Sequence, residues 1–331
     1  MIRLSVLDQS PIAEGSTGAQ ALHDSVDLAR LCDGLGYERY WVAEHHGTPA
    51  LACASPDVLT AAIANETSNI RIGSGGVMLP HHSPLRIAET WSILSGLHPD
   101  RVDLGIGRAA GTDPKTAFAL QRDRRQAAPD DFPSQLAELI GYLEDDLPED
   151  HPFRHLALLP GRPALPEVWL LGSSPQSGIW AAELGLPYAF ADFINADGAA
   201  IVRRYKEDFV PSGSRQHPRA IVAVWVTCAE TDEEARRLSS SARMLFRLMA
   251  RGRLIPVPSV EKALDFLDRE PKGMRRSGRR RRNIVGSPET VKREIEIAAE
   301  EYGVDEVMIV TMTYEHQDRR RSYELIAEAF S

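Results

Sequence analysis

The chain has 331 residues and a formal net charge of −9, with a sequence pI near 5.6, and this acidic balance argues against a nucleic-acid partner. Hydrophobic residues make up 43% and charged residues 26%, which is typical of a soluble globular protein with one large α/β barrel or two medium domains. No apolar run is long enough to span a membrane, and the first residues lack the apolar core of a signal peptide. Three scattered cysteines, Cys32, Cys53 and Cys228, predict a reducing compartment, so we expect a cytoplasmic protein with no membrane partner.

The first predicted elements form a strand–helix–strand unit. Residues 2–7 read as a strand, and residues 39–43 form a second short run that is apolar and aromatic. Between them, apolar residues recur at helical spacing from Leu22 to Cys32, and glycines end the helix. This arrangement predicts two parallel strands joined by a right-handed crossover.

Polar residues follow the second predicted strand at once, as Glu44, His45 and His46. The carboxyl ends of parallel strands carry the chemistry of both open α/β sheets and (β/α)8 barrels. Histidine is the usual proton-transfer residue near neutral pH, so the two histidines at this strand end are candidate catalytic residues. The alternative, that both histidines only satisfy loop carbonyls, stays open. Adjacent residues on an extended strand point to opposite faces, so the pair does not predict a metal site.

The next two strand candidates are rich in glycine. Residues 70–80 carry glycines at positions 73, 75 and 76, which indicates either a β-bulge or a close approach of a ligand. Residues 101–107 form the fourth strand, in which Gly105, Gly107 and Ala110 match the dinucleotide pattern G-x-G-x-x-A. That match is weak because Pro114 interrupts any immediate helix.

Later segments continue the alternation of helices and strands. The pattern predicts strands at 167–171, 188–191, 220–227 and 307–310, and helices at 132–143, 196–209, 232–250 and 287–303. With the first four, eight strand candidates alternate with helices without a clear domain break. The sequence therefore predicts a single (β/α)8 TIM-barrel domain over residues 1–331.

Residues 252–284 stand apart from this pattern. They contain three prolines and an arginine cluster at 275–282, and no regular apolar period was found in them. An arginine cluster is also typical of nucleic-acid binding, but the rest of the chain is acidic and no aromatic residues interleave. We therefore predict a mobile insertion near residues 252–284.

Unusual residues at four predicted strand ends would surround one cavity if all of them lie on the same barrel rim. Small residues at 73–76 and 105–111 would let a flat ligand lie against the backbone. Arg108 and the hydroxyls of Ser173, Ser174 and Ser177 would supply donors for an anionic group, helped by a helix N-terminus near Ser177. Together these features predict a planar cofactor that bears phosphate.

Several segments in the right order carry a family resemblance. Over nearly its full length, the chain resembles the bacterial luciferase-like flavin monooxygenases at residues 43–46, 72–86, 105–108 and 286–289. The resemblance implies a (β/α)8 barrel, reduced FMN (FMNH2) as cofactor, and oxygen-dependent oxidation of a small organic substrate. It is greatest to the non-luminescent, single-component type of member.

The resemblance also implies roles for individual residues. His45 would be catalytic, a non-proline cis peptide would fall at Ser74–Gly75 under the flavin, and Ser173, Ser174, Ser177 and Arg108 would bind the phosphate. Two departures from the luciferases stand out: Gly107 occupies the position of a reactive cysteine, and Ser173 that of an acidic residue. The first argues against aldehyde bioluminescence, and the second makes the loop less repulsive to phosphate.

Two other functions stay open beside the FMN-dependent monooxygenase. One is an F420-dependent oxidoreductase that transfers hydride on the same barrel, and the other is a non-catalytic flavin-binding protein. For the monooxygenase, the expected partners are the organic substrate, O2 and a flavin reductase that would supply FMNH2. A homodimer is also expected.

Overall fold

The computed structural model describes residues 2–108, 112–121, 124–125, 130–156, 158–161, 164–270 and 282–331. Its strands are β1 (Arg3–Asp8), β2 (Arg39–Val42), β3 (Arg71–Met78), β4 (Val102–Gly107), β5 (Glu167–Gly172), β6 (Tyr188–Ala191), β7 (Ala220–Cys228), β8 (Asn283–Gly286) and β9 (Glu306–Val310).

Eight of these strands close into a parallel barrel. They follow the order β1 to β7 and then β9, which pairs back to β1 through Ser5 and Met308 among others. The short β8, which the sequence did not predict, adds to the carboxyl end of β7. The predicted (β/α)8 barrel is confirmed, and each of the eight predicted strands takes its place in it.

Helices surround the strands, and most of them cover the outside of the barrel. They are α1 (Gly18–Gly34), α2 (Pro56–Glu66), α3 (Pro84–Leu97), α4 (Pro114–Leu120), α5 (Phe132–Glu144), α6 (Pro175–Glu183), α7 (Ala199–Glu207), α8 (Asp232–Leu238), α9 (Ser240–Met249), α10 (Val260–Arg269), α11 (Pro288–Tyr302) and α12 (His316–Phe330). Local sequence explains their ends: the Ser287 hydroxyl caps α11, and Gly303 ends it in the left-handed region at φ 60°. The predicted helix at 232–250 is two helices, α8 and α9, which are separated at Ser239.

Alternate residues of the strands face two different cores. Val6, Tyr40 and Leu104 pack outward against the helices, while Trp41 and Trp169 pack inside the barrel. The two indole rings meet edge to face with centroids 5.5 Å apart. The period of two along each strand therefore fills the barrel interior with side chains and leaves the site to its rims.

The amino ends of the strands are closed by a buried polar network, which we call the floor. Arg39 Nε lies 2.6 Å from Glu306 Oε1, and Arg39 Nη1 lies 2.8 Å from Asp103 Oδ2. Ser5 Oγ donates to Glu306, and Trp41 Nε1 donates to Asp103. Because these groups satisfy one another inside the barrel, the floor is a structural feature, and the carboxyl rim is the candidate site.

The predicted mobile insertion near 252–284 contains a regular helix. Val260, Ala263 and Phe266 lie on one face of α10, which packs on α9, and this three-residue spacing was missed in the sequence. Before it, Val257 pairs with Ala13 and donates its N–H to Ile12. Residues 271–281, with most of the arginine cluster, lie outside the described residues. Arg282 is described, and its Nε lies 3.2 Å from Asp192 Oδ2.

Candidate active site

Glu44 follows β2 and is completely buried. Its Oε1 accepts hydrogen bonds from His46 Nε2 at 2.8 Å and His82 Nε2 at 2.9 Å, and its Oε2 accepts from the Met78 N–H at 2.8 Å. Burial alone would raise the pKa of Glu44, but the hydrogen bonds from His82 and His46 outweigh it and hold this pKa below its usual range. Glu44 is therefore an ionised carboxylate that joins the ends of β2 and β3.

His45 points to the other side of the chain, as the alternation of an extended segment predicts. Its Nδ1 is buried and has no hydrogen-bond partner among the described residues, while its N–H donates to Cys53 O at 2.9 Å. Burial lowers the pKa of His45 to about 4; the Glu44 carboxylate opposes this shift and His46 adds to it. The imidazole is therefore neutral at pH 7, with a polar atom that the fold leaves unused.

His46 has structural partners on the outer side. Besides Glu44, its ring meets the ring of His81 edge to face at 6.0 Å, and its carbonyl accepts from Thr112 Oγ1 at 2.8 Å. The His46 ring thus has a partner in the fold, which is the Glu44 carboxylate and not the loop carbonyl of the alternative. His45 Nδ1 has no such partner among the described residues.

The glycines of β3 and β4 are explained by backbone packing. The register between these strands shifts between Gly75 and Val77, which is the β-bulge that the sequence left open. A Cβ on Gly73 or Gly105 would overlap the backbone of the facing strand, and one on Gly76 would lie 2.7 Å from Gly105 O. The strands can approach this closely only without side chains, so these glycines require no ligand.

The non-proline cis peptide is present, but one bond later than the resemblance implied. It joins Gly75 and Gly76, where Ser74–Gly75 was expected. Ser74 is fully buried, and its hydroxyl donates to Gly105 O at 2.9 Å. A Cβ on Gly75 would overlap Leu7 inside the barrel. The expected location was wrong because two consecutive glycines, and not Ser74, occupy the bulge.

The predicted phosphate loop lies between β5 and α6. Ser174 caps α6 and accepts from the Ser177 N–H at 3.5 Å, and its own side chain is exposed. Ser177 is buried, and its hydroxyl donates to Ser174 O at 2.8 Å and lies 2.8 Å from the Tyr188 hydroxyl. Ser173 O accepts from Asn195 Nδ2 at 2.9 Å. The loop is thus held by hydrogen bonds to Tyr188 and Asn195, and the Ser177 hydroxyl takes part in these bonds.

Arg108 follows β4 directly and is half-exposed. Its guanidinium lies 5.5 Å from the Trp180 ring centroid and forms an ion pair with Asp130 at 3.0 Å. Trp180 belongs to α6, so Arg108 lies beside the helix that begins at the predicted phosphate loop. A phosphate would have to compete with the Asp130 carboxylate for this cation.

Several residues of the rim were missed in the sequence. His82 and Asn195 are the clearest polar cases, because each bonds a group that the sequence places in another repeat. On the apolar side, Trp225 lies 5.5 Å from Phe193 and 5.0 Å from Phe246 between ring centroids. The inward position of Trp225 on β7 was the available signal, but its partners come from the β6 end and from α9.

The predicted site residues form a continuous arc along β2 to β5. Glu44 bonds Met78 across the β2–β3 gap, Ser74 bonds Gly105 across the β3–β4 gap, and Arg108 contacts α6. This arc fits a planar group with a phosphate, because it offers the unused Nδ1 of His45 and the amino end of α6. The rings of Phe193, Trp225 and Phe246, which we call the aromatic wall, belong to the other side of the barrel. The described residues include no cluster of three metal-ligating side chains, and none of the described helices could cross a membrane.

Comparison with known proteins identifies relatives along the whole chain. A family model described as luciferase-like monooxygenase matches residues 2–306. The uncharacterized protein YwcH of Bacillus subtilis is 45% identical over the full length of both chains. A luciferase-like monooxygenase of Escherichia coli is 37% identical, covering 98% of this chain and 96% of the relative. The N-acetyl-S-alkylcysteine monooxygenase of B. subtilis is 35% identical, covering 99% and 98%.

Solved structures are similar along the whole chain as well. Apo-MsnO8 is 42% identical with a TM-score of 0.92, covering 100% of this chain and 98% of that one. Two others share the fold at low identity. The oxygenating constituent of 3,6-diketocamphane monooxygenase of Pseudomonas putida, in complex with FMN, is 22% identical at a TM-score of 0.73, with 99% and 97% covered. An F420-dependent secondary alcohol dehydrogenase is 12% identical with a TM-score of 0.70, covering 100% of this chain and 99% of that one.

Proposed function

The chain belongs to the luciferase-like monooxygenase family, and on that premise we propose that it oxidises a small organic substrate with reduced FMN and O2. The observation that carries this proposal is His45. It is a half-buried residue whose buried Nδ1 has no partner among the described residues, and it lies at the carboxyl rim of the barrel beside a fully bonded neighbour, Glu44. Proton transfer is the chemistry that such a histidine is suited to.

His45 would hold or move a proton at Nδ1. Because its pKa is about 4, the imidazole is neutral at pH 7 and can accept or donate one hydrogen bond at this atom. Its burial excludes water that would otherwise compete for the same position. When bound, FMNH2 supplies the two electrons with which one oxygen atom enters the substrate and the other leaves as water, as FMN is regenerated.

The amino end of α6 would hold the phosphate. Ser174 presents an exposed hydroxyl there, the first-turn N–H groups have no helical partner, and Arg108 lies beside α6. Ser74 and Gly75, in the bulged part of β3, would lie under the ring system as the resemblance implies. The aromatic wall of Phe193, Trp225 and Phe246 would face the apolar part of the substrate.

The substrate class has one specific lead. The B. subtilis relative that is 35% identical is named an N-acetyl-S-alkylcysteine monooxygenase, so an N-acetylated thioether is the first substrate to test. Purified protein would be mixed with FMNH2, isotopically labelled O2 and an N-acetyl-S-alkylcysteine. The proposal expects a product that carries one labelled oxygen atom. FMN binding without any oxygenated product from this or other thioethers and ketones would favour the non-catalytic flavin-binding protein.

Hydride transfer to F420 is the second candidate, supported by the fold shared with an F420-dependent alcohol dehydrogenase. That reaction needs no oxygen, so anaerobic turnover of a secondary alcohol with oxidised F420 separates it from the first. The expected further partners are a flavin reductase and a second copy of the chain. For the homodimer, exposed apolar side chains on the neighbouring helices α2 and α3, at Val58, Ile93 and Leu97, offer a contact surface.

A further inference from the structure

Three donors bond the buried Glu44 carboxylate, and they restrain its position to different degrees. His46 is only two residues further along the same segment, so it moves together with Glu44. The Met78 N–H and His82 Nε2 come from the β3 side, and these two fix Glu44 relative to the neighbouring strand. Of the two, only His82 is a side chain.

His82 is held in place by its own segment. A short 3-10 turn, Leu79–His81, follows β3, and the His82 N–H donates back to Leu79 O at 2.9 Å. Its side chain is 33% exposed, so it reaches the buried carboxylate from the protein surface. Substitution of His82 therefore removes a hydrogen bond to Glu44 without opening the core.

Glu44 and His45 share one peptide unit. The two residues are adjacent on an extended segment and face opposite sides, so rotation of the peptide unit between them would swing the imidazole. The Ala43 N–H bonds Asp8 O at 3.0 Å and the His45 N–H bonds Cys53 O at 2.9 Å, so backbone bonds flank Glu44 and its carboxylate adds a side-chain anchor on the outer face. A group whose geometry matters at the scale of 1 Å needs such an anchor.

We propose that His82 is a positioning residue for His45 and acts through the Glu44 carboxylate. The inference rests on the proposed function of His45 in proton transfer. It assigns to His82 no contact with substrate or cofactor. Its role is the donation of the Nε2–H to Glu44 Oε1, which keeps the outer face of the strand end fixed.

The decisive experiment compares His82→Leu, which cannot donate, with His82→Gln, whose amide nitrogen can replace Nε2. The exposed His23→Leu on α1 serves as the matched control. NMR titration of the cofactor-free protein measures the pKa of His45. This pKa depends on the burial of the imidazole and on the neighbouring Glu44 and His46. Thermal melting of each variant checks the fold.

In His82→Leu, the titration midpoint of His45 is expected to rise by about one pH unit or more, because a loosened imidazole gains contact with water. The kcat for substrate oxidation is expected to fall about 10–100-fold, the usual effect of a small displacement, with KM within about twofold. His82→Gln and His23→Leu should behave like the wild type in both measurements.

Unchanged titration of His45 in His82→Leu would overturn the proposal, as would a His82→Gln variant as impaired as His82→Leu. The NMR measurement needs neither cofactor nor substrate, so it stands apart from the proposed function. If His45→Ala oxidises substrate at the wild-type rate, the function of His45 fails. The positional coupling of His82 to His45 is still decided by the titration.

Discussion

Arg39 and Glu306 form an ion pair with 2.6 Å between Nε and Oε1, and both side chains are only 2% exposed. They are the first residues of β2 and β9, the two strands that flank β1. Asp103 and Ser5 complete their hydrogen bonding inside the barrel. The pair therefore links strands from opposite ends of the chain. Removal of Glu306 would leave Arg39 with Asp103 as its remaining close carboxylate and the Ser5 hydroxyl without its acceptor.

Glu306→Ala is expected to lower the free energy of unfolding by about 3–5 kcal/mol, the usual cost of breaking a buried ion pair from one side. The neighbouring Asp305→Ala is the control, because Asp305 is 77% exposed and pairs with the surface residue Arg3. Its cost should be below about 1 kcal/mol. Urea unfolding measures both, and equal losses would show that the floor does not have the role assigned to it.

His45→Ala should fold and bind FMN like the wild type but lose about 10²–10⁴-fold in substrate oxidation, the usual contribution of a general acid or base. The buried and unpaired Nδ1 of His45 is the reason for this prediction. Far-UV circular dichroism and flavin fluorescence check folding and binding, and product formation with FMNH2 and O2 gives the rate. His23→Ala, on the exposed face of α1, is the control.

Substitution of His46 tests whether the catalytic histidine is His45 or its neighbour. His46→Ala should lose stability more than rate, because His46 donates to Glu44 on the outer face. If His45→Ala keeps the wild-type rate while His46→Ala loses it, the catalytic histidine is His46.

The stability of the protein in acid should depend on His45. Its pKa falls from 6.5 to about 4 on folding, so the folded state resists protonation that the unfolded state accepts. Stability is therefore complete above pH 6.5 and falls as the pH drops toward 4, by about 3 kcal/mol for this residue. His45→Asn should show a shallower loss over that window in urea midpoints. A parallel pH dependence in both proteins would mean that the imidazole is not protected in solution.

Arg108→Ala should weaken FMN binding by about 1.5–3 kcal/mol, the typical value of a hydrogen bond to a charged group. Riboflavin, which lacks the phosphate, should bind Arg108→Ala as it binds the wild type. Asp130→Asn removes the carboxylate that now pairs with Arg108 and should tighten FMN binding. Titration of both ligands by fluorescence measures these changes, with the exposed Arg86→Ala as control. Equal weakening of both ligands would assign Arg108 to the fold.

Leu97→Glu should convert the expected homodimer into a monomer in sedimentation velocity. Leu97 is the last residue of α3 and is 68% exposed, so a charge at this position would oppose an apolar contact with a second copy. Val210→Glu, at a side chain that is 51% exposed outside this helix, is the control. A wild-type protein that sediments as a monomer would contradict the prediction at the start.

The barrel could be predicted because its signals are local. Each of the eight strands is a short apolar run, and proline or serine begins several of the helices that follow, so period and end signals agree within each repeat. The exceptions are instructive. The helix α10 packs against α9, and its amphipathic spacing of Val260, Ala263 and Phe266 covers only two turns. No local signal marks the interruption between α8 and α9 at Ser239. The four-residue β8 pairs with the last residues of β7, Trp225–Cys228, most of which lie beyond the part of β7 that pairs with β6 and β9.

By itself, the sequence determined the fold class and the family, and alternation along a strand predicted that His45 and His46 face opposite sides. Tertiary structure alone decided which polar groups meet. Glu44 bonds His82 from another repeat, Asn195 braces Ser173, and Ser177 turns inward to Tyr188. It also decided that the cis peptide lies at Gly75–Gly76. Hydrogen bonds between separate repeats depend on the register and closure of the whole barrel, and no local pattern encodes these.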